Sequence, residues 1–160
     1  MNGVVNIVLA GLGGQGVIKA SDVLAEAAFH FGQDVKKAEV HGMSQRGGSV
    51  ATDVRFGSRV ESPMVPVGEA DFLVVFDASQ IDTNKHMLKP GGKLIAPDAV
   101  GANEFIQKNP KSLNTALLGV LSRELPIPEE LWLAALKASF AERFLETNRK
   151  VFLECRNANR

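Results

Sequence analysis

The chain has 160 residues, a length that suits one domain with one sizeable core. Hydrophobic residues make up 45% and charged residues 22%, which argues against general disorder. Lysine plus arginine equals aspartate plus glutamate at 18 each, so the overall basic footprint of a nucleic-acid or anionic-membrane binder is missing. The single cysteine, Cys155, cannot supply an internal disulfide, a zinc site or an iron–sulfur cluster. Met1-Asn2-Gly3 leads into a short apolar stretch with no basic flank, which reads as a first strand and not a signal peptide. No stretch reaches the length of a bilayer span, so a soluble, cytoplasmic protein is expected.

Residues 4–10 form a run rich in β-branched side chains and bounded by glycines, the pattern of a buried parallel strand. Gly11-Leu12-Gly13-Gly14-Gln15-Gly16 follows, and then residues 17–31 have a helical period. Val17, Ala20, Leu24, Ala27, Ala28 and Phe31 share one face, and Gly32 stands at the expected stop. Residues 34–41 predict a second strand, completing the opening unit of a doubly wound sheet. After a second glycine-bearing loop, residues 49–56 alternate as a strand, and residues 59–65 are expected to pair back on it as a hairpin insertion. Residues 72–76 predict an apolar strand ending at Asp77, residues 80–88 a helix, 90–92 a turn and 93–96 a further strand. Residues 98–111 are polar and lack a clear period. Helices are predicted over 113–125, over 129–140 with Pro128 placed to open it, and over 142–156. The expected architecture is α/β: one Rossmann-like domain over 1–160, with an open, mostly parallel sheet, a β-hairpin insertion and C-terminal helices.

Two loops carry the candidate chemistry. Gly11, Gly13 and Gly16 have the spacing of the dinucleotide fingerprint in its strand-to-helix setting, where glycines let a phosphate approach the amides of a helix N-terminus. The same glycines also serve a plain tight turn. A ribose-binding acid belongs near the end of the second strand, and Glu39 stands there, either in that role or as an ordinary strand residue. The second loop, His41-Gly42-Met43-Ser44-Gln45-Arg46-Gly47-Gly48-Ser49, leaves the same end of the sheet, so both loops face one crevice. Arg46 is suited to a bidentate grip on phosphate, or to plain solvation at the surface. His41 has no acid or nucleophile partner in the sequence and reads as a loop hydrogen-bonder. Asn114, at the start of an apolar helix, reads as a cap or as a ligand contact. Arg143 and Arg149 read as solvated.

These loops resemble a known family. The stretch from Gly11 to Val17, together with Glu39-Val40-His41-Gly42-Met43-Ser44-Gln45-Arg46-Gly47-Gly48-Ser49-Val50, is similar to the gamma-type domain of 2-oxoacid:ferredoxin oxidoreductases. Within that family (pyruvate, ketoisovalerate and indolepyruvate enzymes) the chain is most like the beta subunit of the indolepyruvate enzyme. Arg55-Phe56-Gly57, Ala70-Asp71, Leu88-Lys89-Pro90-Gly91-Gly92, Asn114-Thr115-Ala116-Leu117-Leu118-Gly119 and Glu146-Thr147-Asn148-Arg149-Lys150-Val151-Phe152 extend the match in order along nearly the whole chain.

The resemblance implies a subunit of an enzyme that oxidatively decarboxylates a 2-oxoacid to acyl-CoA, carbon dioxide and reduced ferredoxin. It implies a chain inactive alone and without catalytic residues of its own. Thiamine diphosphate, magnesium and iron–sulfur clusters are expected in thiamine-binding and ferredoxin-type partner subunits of a hetero-oligomer, with a homodimer as the alternative for the isolated chain. It also implies a shared coenzyme A site to which Gly11, Gly13, Gly14, Gln15, Gly16, Ser44, Gln45, Arg46, Gly47 and Asn114 contribute. The sequence supports the negative part independently, since it has no glycine-aspartate-glycine metal-diphosphate motif and one cysteine. The segment between Pro97 and Asn114 is shorter than in relatives, which bears on subunit packing and leaves a repurposed copy open. Two other readings stand beside this one: a free-standing NAD-binding module using Glu39, and a purely structural subunit.

Overall fold

The structure, a computed structural model, describes residues 3–41, 48–101 and 104–158. Five strands form one open sheet: β1 (Val4–Leu12), β2 (Asp34–His41), β3 (Ser49–Gly57), β4 (Ala70–Val75) and β5 (Leu88–Ile95). Their order is β2-β3-β1-β4-β5. β4 is parallel to β1, and β5 to β4. β3 is antiparallel to both β1 and β2, so four strands point one way and β3 alone is reversed. The sheet is therefore mixed, with four of five strands sharing one direction and a hairpin insertion.

The hairpin differs from the one expected. It is β2 and β3 that pair, in unbroken register from Asp34↔Gly57 to His41↔Val50, and residues 59–65 form no strand. The physical reason lies in side-chain anchoring. Arg55 donates from Nη1 to the carbonyls of Ser62 (2.8 Å) and Met64 (3.3 Å), and the buried Asp53 accepts the Val65 N–H at 2.9 Å. These contacts fold the segment onto the sheet face as an irregular cover, with Val65 buried against Val8, Leu73 and Val75.

The other face carries the helices. Ile7, Leu9, Val54, Phe56 and Val74 alternate onto it and form the main core with α1 (Val17–His30), α4 (Leu113–Ser122), α5 (Glu129–Ser139) and α6 (Glu142–Asn157). α1 starts at Val17 as expected and stops one residue early, at His30, with Gly32 at φ +84° just beyond. Residues 114–122 of α4 are all buried, as its near-continuous apolar sequence requires. Gly119 lets α6 close onto it: a Cβ there would lie 2.6 Å from the Phe152 carbonyl oxygen and 2.9 Å from the Cys155 Cβ. Trp132 on α5 is fully buried, stacks at a tilt on Phe152 with centroids 5.7 Å apart, and donates its indole N–H to the Ile127 carbonyl.

Three further boundaries differ from expectation. Residues 80–88 are not one helix. They break into a 3-10 turn over Ala78–Gln80, the short α2 (Ile81–Asn84) and a second turn over Lys85–Met87, too little periodic apolar sequence to hold a longer helix. The turn at 90–92 lies inside β5: Ala70 pairs with Leu88 and Phe72 with Lys93, so β5 bows outward between them, with Gly91 at φ +81°. α4 ends at Ser122, three residues before the expected stop. The polar stretch before it holds short turns and α3 (Glu104–Lys108). Among the described residues no helix is long and apolar enough to cross a membrane.

Candidate functional site

The two glycine loops leave the same end of the sheet, because Leu12 at the end of β1 pairs with Ser49 at the start of β3. The Gly13 N–H donates to the Gly48 carbonyl at 2.9 Å, joining the first loop to the last residue of the second. Ser44, Gln45, Arg46 and Gly47 lie outside the described residues. Gly11, Gly13, Gly14, Gln15, Gly16 and Asn114 are brought together.

Gly11 is the penultimate residue of β1. A Cβ on it would meet Gln15 Oε1, Phe76 Cβ and Val17 Cγ2, all at 2.9 Å. Its role is to let strand and helix close on each other. Gln15 ties the turn down. Its Oε1 accepts the Leu12 N–H at 2.7 Å, its Nε2 donates to Asp77 Oδ2 at 2.9 Å, and its own N–H donates to the Leu12 carbonyl at 3.2 Å. It thus straps the ends of β1 and β4 together, and both ends of its amide are engaged in positioning. The Asp77 carboxyl is held below the ordinary carboxylate range by the Ser79 hydroxyl and N–H and then by Gln15, so it is ionised at neutral pH.

Gly16 opens α1 in the left-handed region at φ +80°. Among the described residues no side chain caps this helix start, and no acid stands in its first turn. Among the described residues the N–H groups of Val17 and Ile18 have no backbone partner outside the helix, whose first bond is Ala20 N–H to the Gly16 carbonyl. Asn114 does not cap α4, whose N-cap position is Ser112. It reaches across to the first loop instead, with Nδ2 donating to the Gly16 carbonyl at 3.3 Å and Oδ1 accepting the Thr115 N–H at 2.9 Å.

Sequence reasoning missed what stands behind Asn114. The Thr115 hydroxyl donates to Asn148 Oδ1 at 2.7 Å, and Asn148 Nδ2 donates to the Phe144 carbonyl at 2.9 Å; Asn114, Thr115 and Asn148 are all buried. A polar chain therefore runs from α6 through α4 to the glycine loop. The signal was available: polar residues inside two apolar helical patterns, where burial demands partners. A second omission is Lys111. A cleft of about 480 Å³ opens beside the loop, lined by Gly14, Gln15, Gly16, Pro110, Lys111 and Leu113, and brings an exposed ammonium next to the uncapped helix start. An open helix N-terminus with a lysine across a cleft suits an anion such as a phosphate.

The geometry speaks against the nicotinamide reading. In a dinucleotide-binding fold the ribose acid ends the strand beside β1. Here β3 lies between β1 and β2, which moves Glu39 outward by a strand, about 4.8 Å. Glu39 is also paired with Lys37 at 3.2 Å. Among the described residues no cluster of histidine, cysteine and carboxylate side chains is suited to a metal, and Cys155 is buried with its thiol pushed up to about 11 by burial.

An open α/β sheet with a reversed strand inserted beside β1 and a glycine loop opening α1 defines the class of fold. It is shared with the keto/oxoacid ferredoxin oxidoreductase gamma subunit from Geobacter sulfurreducens PCA, at a TM-score of 0.78 and 24% identity over 95% of this chain and 96% of that one. It is shared also with the 2-oxoglutarate:ferredoxin oxidoreductase from Magnetococcus marinus, whose structure has 2-oxoglutarate, coenzyme A and succinyl-CoA bound. There the TM-score is 0.82 at 22% identity, over 100% of this chain and 32% of that one. At sequence level, the indolepyruvate oxidoreductase subunit IorB of Thermococcus kodakarensis is 47% identical over 87 residues, which is 54% of this chain and 43% of the relative. The matched stretch thus spans less than half the length of that relative. The pyruvate/ketoisovalerate oxidoreductases common subunit gamma of the same organism is 28% identical over 92% of both chains. The family model for pyruvate ferredoxin/flavodoxin oxidoreductase matches residues 6–158, and the chain belongs to this family.

Proposed function

We propose that this chain is the subunit of a 2-oxoacid:ferredoxin oxidoreductase that carries neither thiamine nor clusters, a single gamma-type domain that completes a coenzyme A site and helps build the assembly. The observation that carries the reading is the joined pair of loops: Gly13 bonded to Gly48, and the uncapped start of α1 facing Lys111 across a cleft. Coenzyme A carries phosphates, and this is an arrangement suited to phosphates. In the overall reaction a 2-oxoacid and coenzyme A give acyl-CoA and carbon dioxide, and two electrons reduce ferredoxin. Thiamine diphosphate in a partner chain supplies the carbanion chemistry of decarboxylation. What this chain contributes is binding and orientation. The amides of Gly14, Val17 and Ile18 are offered to the anion, Lys111 and Arg46 supply positive charge, Ser44, Gln45 and Gly47 contribute contacts to coenzyme A from the second loop, and Asn114 with Gln15 holds the first loop in place.

The test is Arg46→Ala in the assembled enzyme. Loss of one charge-assisted pair costs about 1.5–3 kcal/mol, roughly a tenfold to hundredfold rise in the coenzyme A half-saturation constant. Carbon dioxide release from the first half-reaction should persist. Arg46→Lys should recover only part of the loss, because an ammonium lacks the planar fork. Unchanged coenzyme A kinetics in an intact Arg46→Ala complex would make the loops structural and overturn the proposal.

A further inference from the structure

The sheet has two edges, and they are built differently. β5 is blunted in ways natural edges usually are: it bows out over residues 89–92, carries Pro90, and has Lys89 and Lys93 along it. β2 also carries lysines, Lys36 and Lys37, but it is an eight-residue edge strand with no proline and no bulge in its register against β3. Among the described residues nothing pairs with its outer side. Exposed apolar side chains flank it on both faces: Val40 is 47% exposed on the face away from the helices, and Phe29 of α1 is 63% exposed on the helical face. Phe29 lines a groove of about 580 Å³ along the strand with Ala25, Val35, Lys37 and Ala138.

We propose that a second copy of this chain occupies this edge, so that two sheets join through β2 into one ten-stranded sheet. The charge pattern of the strand selects the register. Two copies related by a twofold axis perpendicular to the sheet run antiparallel, and opposed side chains share a face. One residue of β2 must then stand opposite its own copy. Lys36, Lys37 or Glu39 on the axis would place like charges against each other, which is unfavourable. An axis at Val35 or Val40 would leave little of the strand overlapping. Ala38 on the axis aligns residues 35–41 of both copies. It sets Lys37 opposite Glu39 of the second copy, twice by symmetry, and Lys36 opposite Val40. Within one copy Lys37 pairs with Asp22 at 2.5 Å and with Glu39 at 3.2 Å, so the interface joins two such clusters through alternating Lys37 and Glu39 charges. The same register covers Val40 and extends the Phe29 groove across the axis.

Ala38→Cys tests this on the whole chain. Opposed Cα atoms on antiparallel strands lie about 4.5–5.5 Å apart, within disulfide reach. Mild oxidation should convert Ala38→Cys into a covalent dimer, whereas the parent chain, with its only cysteine buried, should not cross-link. Lys36→Cys and Val40→Cys should each fail alone and cross-link when mixed. By light scattering at tens of micromolar the parent chain should be a dimer, and Glu39→Lys should weaken its self-association at least tenfold. A monomeric parent chain, or a dimer in which Ala38→Cys does not cross-link, overturns the proposal. The first result would also leave the edge for a strand of a different subunit.

Discussion

Substituting Gly16 by alanine separates two costs that the sequence motif alone cannot distinguish. One is backbone strain. Gly14 and Gly16 both sit at positive φ, +88° and +80°, where an alanine costs about 1–2 kcal/mol. The other is local. A Cβ on Gly14 meets nothing within 4 Å, but one on Gly16 would lie 2.5 Å from Asn114 Nδ2. Asn114 is buried and fixed through Thr115 to Asn148, so it cannot swing away cheaply. Displacing it breaks its bond to the Gly16 carbonyl and leaves a buried amide short of a partner, a further cost of about 1–3 kcal/mol. The totals are roughly 2–5 kcal/mol for Gly16→Ala against roughly 1–2 kcal/mol for Gly14→Ala. At about 2–4 °C per kcal/mol for a chain of this size, thermal unfolding followed by circular dichroism at fixed protein concentration resolves the difference. Asn114→Ala supplies the control. The Asn114 Cβ lies 3.5 Å from the added Cβ, an ordinary contact, so Gly16→Ala in that background should cost no more than Gly14→Ala. Equal losses for Gly14→Ala and Gly16→Ala in the parent chain would refute the claim that Asn114 is packed against the loop by the chain behind it.

The Asp53 carboxyl is pushed above its ordinary value of 3.8 mainly by burial, against the pull of the Val65 N–H and Arg55. The stability tied to its protonated form is therefore full below about 3.8 and is lost as pH rises through the higher folded-state value. Asp53→Asn keeps an acceptor for Val65 and removes the charge. Denaturant unfolding across pH should show it gaining on the parent chain as pH rises above this range, and parallel pH profiles would refute that assignment. Cys155, with its thiol pushed up to about 11 and buried against Gly119, should resist alkylation at pH 8 in the native chain and react promptly in denaturant. Fast labelling of the native chain would show that α4 and α6 separate readily.

How much of this was legible in the sequence depends on how locally each feature is determined. β1, α1 and β2 follow from a β-branched run, a 3.6-residue period and glycine punctuation, all local signals, and their limits are close to those expected. The three-residue overrun of α4 at Ser122 and the partial helix over 80–88 come from apolar runs whose ends are set by tertiary contacts, so the sequence period overstated them. The partner of β3 is not local at all. An alternating strand shows that it has two faces, but not which neighbours it joins, and residues 59–65 were expected on it because they are next in the chain. What decides against them is Arg55 and Asp53, whose side chains bind that segment's backbone from the sheet face and spend its hydrogen-bonding capacity there.

The same non-local choice of strand neighbour bears on the ambiguity of the glycine fingerprint. Gly11, Gly13 and Gly16 describe only the turn from β1 to α1, and this turn is the same whether β2 or β3 lies beside β1. A dinucleotide site needs β2 there, to bring an acid to the ribose. Inserting β3 in reverse moves Glu39 away and instead brings the start of β3, with Gly48, against Gly13. The reversed strand thus replaces a ribose-binding neighbour with Gly48, the residue that accepts the Gly13 N–H at the turn into α1.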